Sequence, residues 1–337
     1  MNVESAAELE KRAEPLEMLR RILRKQHYHF VNKHTAVKTC NWTKSAITRG
    51  IFCYKCKFYG IESHRCIQMS PAVLWCWNMC VHCWRARAQD LGFEWFEVSM
   101  ESYEDDAEKL ADAVIDAQRR LLSGFLGNPR ANRKLAEEAM RPKHVAISLA
   151  GEPTLYPKLL ELVRAFHRRG MTTFLVTRGV RPDVLERLRD EEPPTQVYLS
   201  VESYTKEMYE SVNKPAVPRA WELTLQSVEV LRDFGTPTVL RLTVMRGINL
   251  DEKAVEGFSW FVDKMQPTFV EVKAYMHVGA STLRLPRIAM PSHEEVKKFA
   301  ESLSRRTGYG VANESRESRV VVLSMRDSFP KYGEGCR

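Results

Sequence analysis

Six apolar, β-rich runs recur through the middle of the chain, at 71–75, 144–149, 172–177, 196–201, 238–245 and 268–275. Stretches with helical periodicity separate them, at 104–126 with 131–140, then 157–169, 181–190, 205–212 with 218–234, and 251–265. This alternation constrains the fold more than any other feature. Parallel neighbours need a crossover connection, and a helix is the usual one, so the pattern predicts βα units and a parallel sheet. The crossover rule makes its winding right-handed. Six units are compatible with a partial barrel and with a doubly wound open sheet. In a barrel, chemistry gathers at the C-terminal ends of the strands.

Three of the eight cysteines stand just after the first run, in Trp75-Cys76-Trp77-Asn78-Met79-Cys80-Val81-His82-Cys83, spaced C-x3-C-x2-C. Three thiolates fill three irons of a [4Fe–4S] cube and leave the fourth open. A structural zinc site is the alternative, and it usually uses C-x2-C pairs with a fourth ligand. C-x3-C-x2-C after a strand resembles the signature of the radical S-adenosylmethionine enzymes, whose cofactor chelates the open iron through its amino and carboxylate groups. The resemblance implies an α/β fold, a partial (βα)6 TIM-like barrel.

Further motifs fit that family. The second strand ends in Ala150-Gly151-Glu152-Pro153-Thr154, similar to the family's Gly-Gly-Glu-Pro element, which implies that Gly151 and Glu152 meet the cofactor's amino group. Glycine allows close backbone approach there, and Pro153 fixes the loop. Thr177-Arg178-Gly179 resembles the family's Thr-Asn-Gly turn, with Arg in place of Asn. The resemblance also implies cofactor contacts for Thr177, for Ser200 and Glu202 on one side of the fourth strand, and for His82 against the adenine.

Upstream, Cys40, Cys53 and Cys66 follow one another at thirteen-residue intervals. That even spacing resembles the archaeal-type tRNA 4-demethylwyosine synthases, a resemblance that covers nearly the whole chain. It implies a second [4Fe–4S] cluster on Cys40, Cys53 and Cys66 beside the one on Cys76, Cys80 and Cys83. It implies pyruvate and phenylalanine tRNA carrying N1-methylguanosine-37 as substrates, with the tricyclic base as product, in a lyase-class reaction. Lys55 stands where that family has a lysine proposed to hold pyruvate as a Schiff base. The family's eukaryotic members add a flavodoxin-like domain that is not found here, so an external electron donor of flavodoxin or ferredoxin type is expected. A zinc ribbon on Cys40, Cys53, Cys56 and Cys66 is the competing arrangement, and a radical enzyme acting on another RNA or a peptide is the competing function. Cys56 and Cys336 have no assigned role.

At 337 residues the chain accommodates one large domain with small additions. The expected division is an N-terminal cysteine-rich extension (1–69), the barrel (70–284) and a small α+β C-terminal appendage (285–337). The appendage opens with a helix at 291–306 capped by Ser292, followed by short strands at 308–311 and 319–323 across a turn at 313–315. No apolar run approaches the roughly 18 residues of a membrane helix, and the N-terminus lacks the pattern of a signal peptide. A cytoplasmic monomer is expected, in a reducing setting where clustered cysteines favour metal over disulfides. The net charge of +8 points to an anionic partner. Residues 20–65 concentrate Lys and Arg with Tyr28, Phe30, Trp42, Phe52, Tyr54, Phe58 and Tyr59 among them, a mixture suited to phosphates and stacked bases. An amphipathic helix over 8–26 opens this region.

Overall fold

In a computed structural model the described residues are 6–87, 90, 100, 105–325 and 331–333, with side chains from residue 16 onward. Helix α1 (Ala6–Lys25) leads into two short strands, β1 (His29–Phe30) and β2 (Ala36–Val37), then α2 (Asn41–Arg49) and α3 (Tyr54–Tyr59). Strand β3 (Cys66–Ser70) precedes α4 (Ala107–Leu122) and α5 (Arg133–Ala139). The chain continues as β4 (His144–Ile147), α6 (Leu159–Arg168), β5 (Thr172–Thr177), α7 (Pro182–Glu191) and β6 (Gln196–Val201). The short α8 (Lys206–Met208), α9 (Ala220–Arg232), β7 (Thr238–Val244), α10 (Glu252–Met265) and β8 (Phe269–Ala274) complete the repeats. Helix α11 (His293–Thr307) and strands β9 (Gly310–Ser315) and β10 (Val320–Ser324) follow.

Strands β3 to β8 lie side by side in sequence order and all are parallel. A doubly wound sheet reverses its order part-way, so the runner-up topology is excluded. The sheet continues at both edges with antiparallel strands. β2 pairs with β3 and β1 with β2, while β10 pairs with β8 and β9 with β10.

The first parallel strand lies earlier than the sequence suggested. Pro71 has no N–H to give to a ladder, and residues 71–74 form a turn instead of the expected strand at 71–75. Cys66 therefore opens the strand. Residues 27–69, which carry little periodicity, nevertheless hold β1, β2, α2, α3 and most of β3. The final hairpin turns at 316–319, with Arg319 at φ 46°, while the expected turn at 313–315 lies inside β9.

Strand alternation divides the core in two. On the outer face Val145, Leu175, Leu199, Leu242 and Val272 pack against Val114, Phe166, Leu185, Phe258 and Phe299 of the helices. On the inner face Phe174, Tyr198, Val239 and Phe269 pack against Tyr54, Phe58 and Tyr59 of α3. Helix α3 thus stoppers the inner face at one level. Tyr54, Phe58, Tyr59 and Tyr28 are buried, which removes them as base-stacking residues. Further toward the C-terminal ends, the inner-face residues Val176, Ser200, Arg241, Thr243 and Lys273 are only half-buried. The register places Ser200 beside Arg241 and Thr243 beside Lys273, so an open inner surface leads to those ends.

Candidate active site

The Cys76–Cys83 loop lies at the C-terminal end of β3 and is held by backbone from several elements. Met79 and Val81 donate to the carbonyls of Asn213 and Val212 at 2.9 Å, and Ala216 donates to that of Trp77 at 2.8 Å. Glu152 N donates to the Trp75 carbonyl at 2.7 Å. Gly151 makes that approach possible: its φ is +68°, and an added Cβ would lie 1.8 Å from the Ala72 oxygen and 2.6 Å from that of Trp75. Its requirement for glycine therefore comes from the backbone of the turn that leads into the cysteine loop. Three arginines support the loop from outside. Arg284 donates to the carbonyls of Val81 and Cys83, Arg87 to that of Cys80, and Arg85 to those of Ser148 and Leu149.

The carboxylate of Glu152 joins the second and third strand ends. It accepts from the Thr154 hydroxyl (2.7 Å), the Thr177 hydroxyl (2.6 Å) and Arg178 N (2.9 Å). The Thr177 hydroxyl also accepts from Gly179 N, so this side chain builds the turn. Arg178 extends from the turn into the site. It donates to Cys80 Sγ at 2.9 Å, to the Ser200 carbonyl at 3.0 Å and to the Glu202 carboxylate. The Asn213 amide fits between Ser203 and Arg178 with its oxygen toward the guanidinium, since Arg178 offers only donors. Glu202 is buried, and His82 Nε2 stands 3.4 Å from its second oxygen. Burial pushes the His82 imidazole down to about 4 despite Glu202, with Arg178, Arg284 and Arg87 adding to the effect, so the ring is neutral. Its buried Nδ1 has no hydrogen-bond partner. The Ser200 side chain lies on the open inner surface.

The second cysteine set comes from three element starts. Cys40 and Cys53 are the N-caps of α2 and α3, and Cys66 begins β3. Burial raises all three thiols, Cys53 to about 11 and Cys66 to about 12, and Cys40 adds to both shifts. Cys76 and Cys80 are raised by burial too, with Cys80 and Cys83 adding to the shift of Cys76. Each triad is thus a set of thiols within electrostatic reach of one another. Among the described residues no three His, Cys, Asp or Glu side chains gather as a single ion would need. Cys56, a ligand in the zinc alternative, is buried and disulfide-bonded, against the expectation of reduced cysteines; Cys336 lies outside the described residues.

Lys55 extends from the first turn of α3 across the inner face. Its Nζ sits 4.1 Å from the centre of the Tyr198 ring and 5.7 Å from that of Phe174. Burial lowers its pKa, Arg241 lowers it further, and Glu271, Cys53 and Cys66 oppose. The helix beneath it is pinned by Glu271, which accepts from Tyr54 (3.1 Å), Tyr59 (2.8 Å) and Arg241 (3.0 Å). Lys273, pushed down to about 8 by burial and Arg241, donates to the Ser318 carbonyl at 3.0 Å.

Residues 71–256 match the Radical SAM superfamily, and residues 264–325 match the family described as wyosine base formation. The S-adenosyl-L-methionine-dependent tRNA 4-demethylwyosine synthase of Pyrococcus abyssi is 46% identical over 93% of this chain and 90% of its own length. The chain belongs to the tRNA 4-demethylwyosine synthase family. The Methanocaldococcus jannaschii synthase is 38% identical over 91% of this chain and 96% of its own. A solved TYW1 structure with a lysine–pyruvate adduct bound superposes with a TM-score of 0.81 at 36% identity, covering 94% of this chain and 98% of that one.

The residues present suit the groups that a tRNA 4-demethylwyosine synthase implies. Two sets of three thiols are a soft donor set suited to iron–sulfur clusters. His82 turns its Nε2 toward Arg178 (3.3 Å) and Glu202 (3.4 Å), which leaves its buried Nδ1 without a partner. Sequence reasoning did not single out Arg178, Arg284, Arg87, Arg241, Glu271 or Lys273 as site residues. For Arg178 a signal existed, the departure from the Thr-Asn-Gly pattern.

Proposed function

We propose that this chain condenses pyruvate with N1-methylguanosine-37 of phenylalanine tRNA to form tricyclic 4-demethylwyosine, the second step of wyosine biosynthesis. The observation that carries this reading is Lys55, seated on Tyr198 beside the Cys40, Cys53 and Cys66 thiols. Its amine is biased toward the neutral form that attacks a carbonyl. Lys55 Nζ adds to the keto carbon of pyruvate and water leaves, so the three-carbon unit is held on the open inner surface. Tyr198 and Phe174 beneath it exclude water from that amine.

Cys76, Cys80 and Cys83 hold one [4Fe–4S] cluster, and Cys40, Cys53 and Cys66 a second. When bound, the first cluster and S-adenosylmethionine supply the one-electron chemistry that removes a hydrogen atom from the N1-methyl group. Gly151, Glu152, Thr177, Ser200, Glu202 and His82 form the cofactor pocket. Glu152 and Thr177 act by shaping the turn, while neutral His82, Ser200 and Glu202 supply the contacting atoms. In this reading β3–β8 curve into a partial (βα)6 barrel (70–284), between a cluster-bearing extension (1–69) and a C-terminal appendage (285–337).

For tRNA we favour the exposed face of α1 and the residues after it: Arg21, Arg24, Lys25, Lys33 and Lys44 are all exposed. Leu19 and Leu23 of α1 pack on Val73, Leu149 and Ala150, which seats the basic face beside the mouth of the site. Among the described residues no helix is long and apolar enough to cross a membrane. We place the enzyme in the cytoplasm as a monomer served by a flavodoxin- or ferredoxin-type donor, and class it as a carbon–carbon lyase. The test is anaerobic incubation with methylated tRNA, 13C-labelled pyruvate, S-adenosylmethionine and dithionite. Nucleoside mass analysis is expected to show the tricyclic base carrying pyruvate carbon. An unlabelled or unchanged N1-methylguanosine would overturn the reading.

A further inference from the structure

Arg178 replaces the Asn of the Thr-Asn-Gly pattern and is a residue to which the reaction above gives no role. Its side chain is only 11% exposed, and its Nη2 lies 2.9 Å from Cys80 Sγ. The guanidinium is aimed by the Ser200 carbonyl, by Glu202 and by the Asn213 amide oxygen. Its backbone is anchored as well: Arg178 N donates to Glu152, and the Arg178 carbonyl accepts from the Thr224 hydroxyl at 3.3 Å. The nearby Arg284 and Arg87 spend their charge on Asp90 and on backbone carbonyls. Arg178 instead reaches a sulfur.

We propose that Arg178 sets the reduction potential of the iron–sulfur cluster on Cys76, Cys80 and Cys83 by donating a charged N–H to the Cys80 sulfur. This rests on the reading that those thiols hold a cluster. Hydrogen bonds to the sulfurs, net charge and solvent exposure are what tune such potentials. The reduced cluster carries one more negative charge than the oxidised one, and the electron comes from the external one-electron donor. A buried guanidinium cannot shed its proton, so it stabilises the reduced form more than the oxidised form. Arg178 therefore raises the potential and lets a milder donor reduce this cluster. Glu202 shares the guanidinium and offsets part of that effect.

The test is a redox titration of the holoenzyme followed by electron paramagnetic resonance, without S-adenosylmethionine. Adding the cofactor afterwards identifies the loop cluster as the signal it perturbs. Arg178→Asn is expected to lower the reduced-to-oxidised ratio of that signal about tenfold at fixed poise, which is 59 mV for one electron. The cofactor-insensitive signal keeps its midpoint, and Arg178→Lys recovers part of the loss. Glu202→Gln shifts the loop cluster the opposite way, because it frees Arg178's charge, and it decides the matter if Arg178→Asn fails to load iron. An unchanged midpoint in the fully loaded Asn variant, or an equal shift of both signals, overturns the proposal. So does weakened cofactor affinity with an unchanged midpoint, which would make Arg178 a cofactor-carboxylate ligand. A wild-type chain with no cofactor-sensitive signal would overturn the cluster reading along with it.

Discussion

Replacing Glu271 with Gln keeps the side-chain volume and removes the charge that holds α3 on the sheet. Glu271 is fully buried and accepts three hydrogen bonds, from Tyr54, Tyr59 and Arg241, the last from a guanidinium that is itself only 15% exposed. Burial opposes ionisation of this carboxyl, yet Arg241 and Lys55 outweigh it and hold the group below the usual carboxylate range. Gln leaves Arg241 buried without its counter-charge. Removing one partner of a buried pair costs about 3–5 kcal/mol. Each hydrogen bond to a charged group contributes roughly 1.5–3 kcal/mol, and the tyrosine bonds to the neutral amide survive in weaker form. A net loss of about 3 kcal/mol is therefore expected, a large share of the roughly 5–15 kcal/mol by which domains are stable. In urea unfolding of the cluster-free protein, an m of about 3 kcal/mol/M turns this into a midpoint about 1 M lower. A midpoint within about 0.3 M of wild type, near 1 kcal/mol by the same slope, refutes the view that this ion pair anchors the helix carrying Cys53 and Lys55.

Gly151→Ala drives a methyl into the Ala72 and Trp75 carbonyls, so the cysteine loop must move; iron retained by Cys76, Cys80 and Cys83 is expected to fall while the other set keeps its iron, read by metal and sulfide analysis. Changing Arg21, Arg24 and Lys25 together to Ala should weaken tRNA binding and flatten its salt dependence, the slope of log K against log salt falling by roughly 0.7–0.9 for each phosphate left without its cation; an unchanged slope places the tRNA elsewhere. Glu295 is held down to about 2, chiefly by Arg246 and against burial, with Ser292 helping. A carboxyl whose folded pKa is depressed contributes stability above its unfolded value of 4.5, and this is lost as pH falls toward 2. Arg246→Met should therefore shrink the decline in Tm over that window, and an equal decline in both proteins contradicts the pairing.

Strands β5 and β6 fall where their apolar runs predicted, because their outer faces bury against helices and their inner faces carry Phe174 and Tyr198. Strand β3 was illegible for the opposite reason: its alternate residues Cys66, Gln68 and Ser70 are polar, while the apolar run after it is a turn begun by Pro71. The aromatic residues of 54–59 looked like a nucleic-acid surface because composition does not show which way a short helix faces; they are the stopper of the inner face. The spacings of the two cysteine sets were readable in the sequence, and the clusters they suggest belong to the proposal. The charges that surround them were not, since Arg178 meets Cys80 across 98 residues and Glu271 meets Tyr54 across 217.

The division of labour between the two thiol sets is tested most directly by replacing Cys40, Cys53 and Cys66 together with Ala and following both products of one anaerobic reaction. The variant should bind about half the wild-type iron and sulfide, since one of two cubes remains. It should still release deoxyadenosine, because Cys76, Cys80 and Cys83 are intact, and it should form no tricyclic base. Unchanged iron with lost zinc, or full ring formation by the variant, would contradict the account.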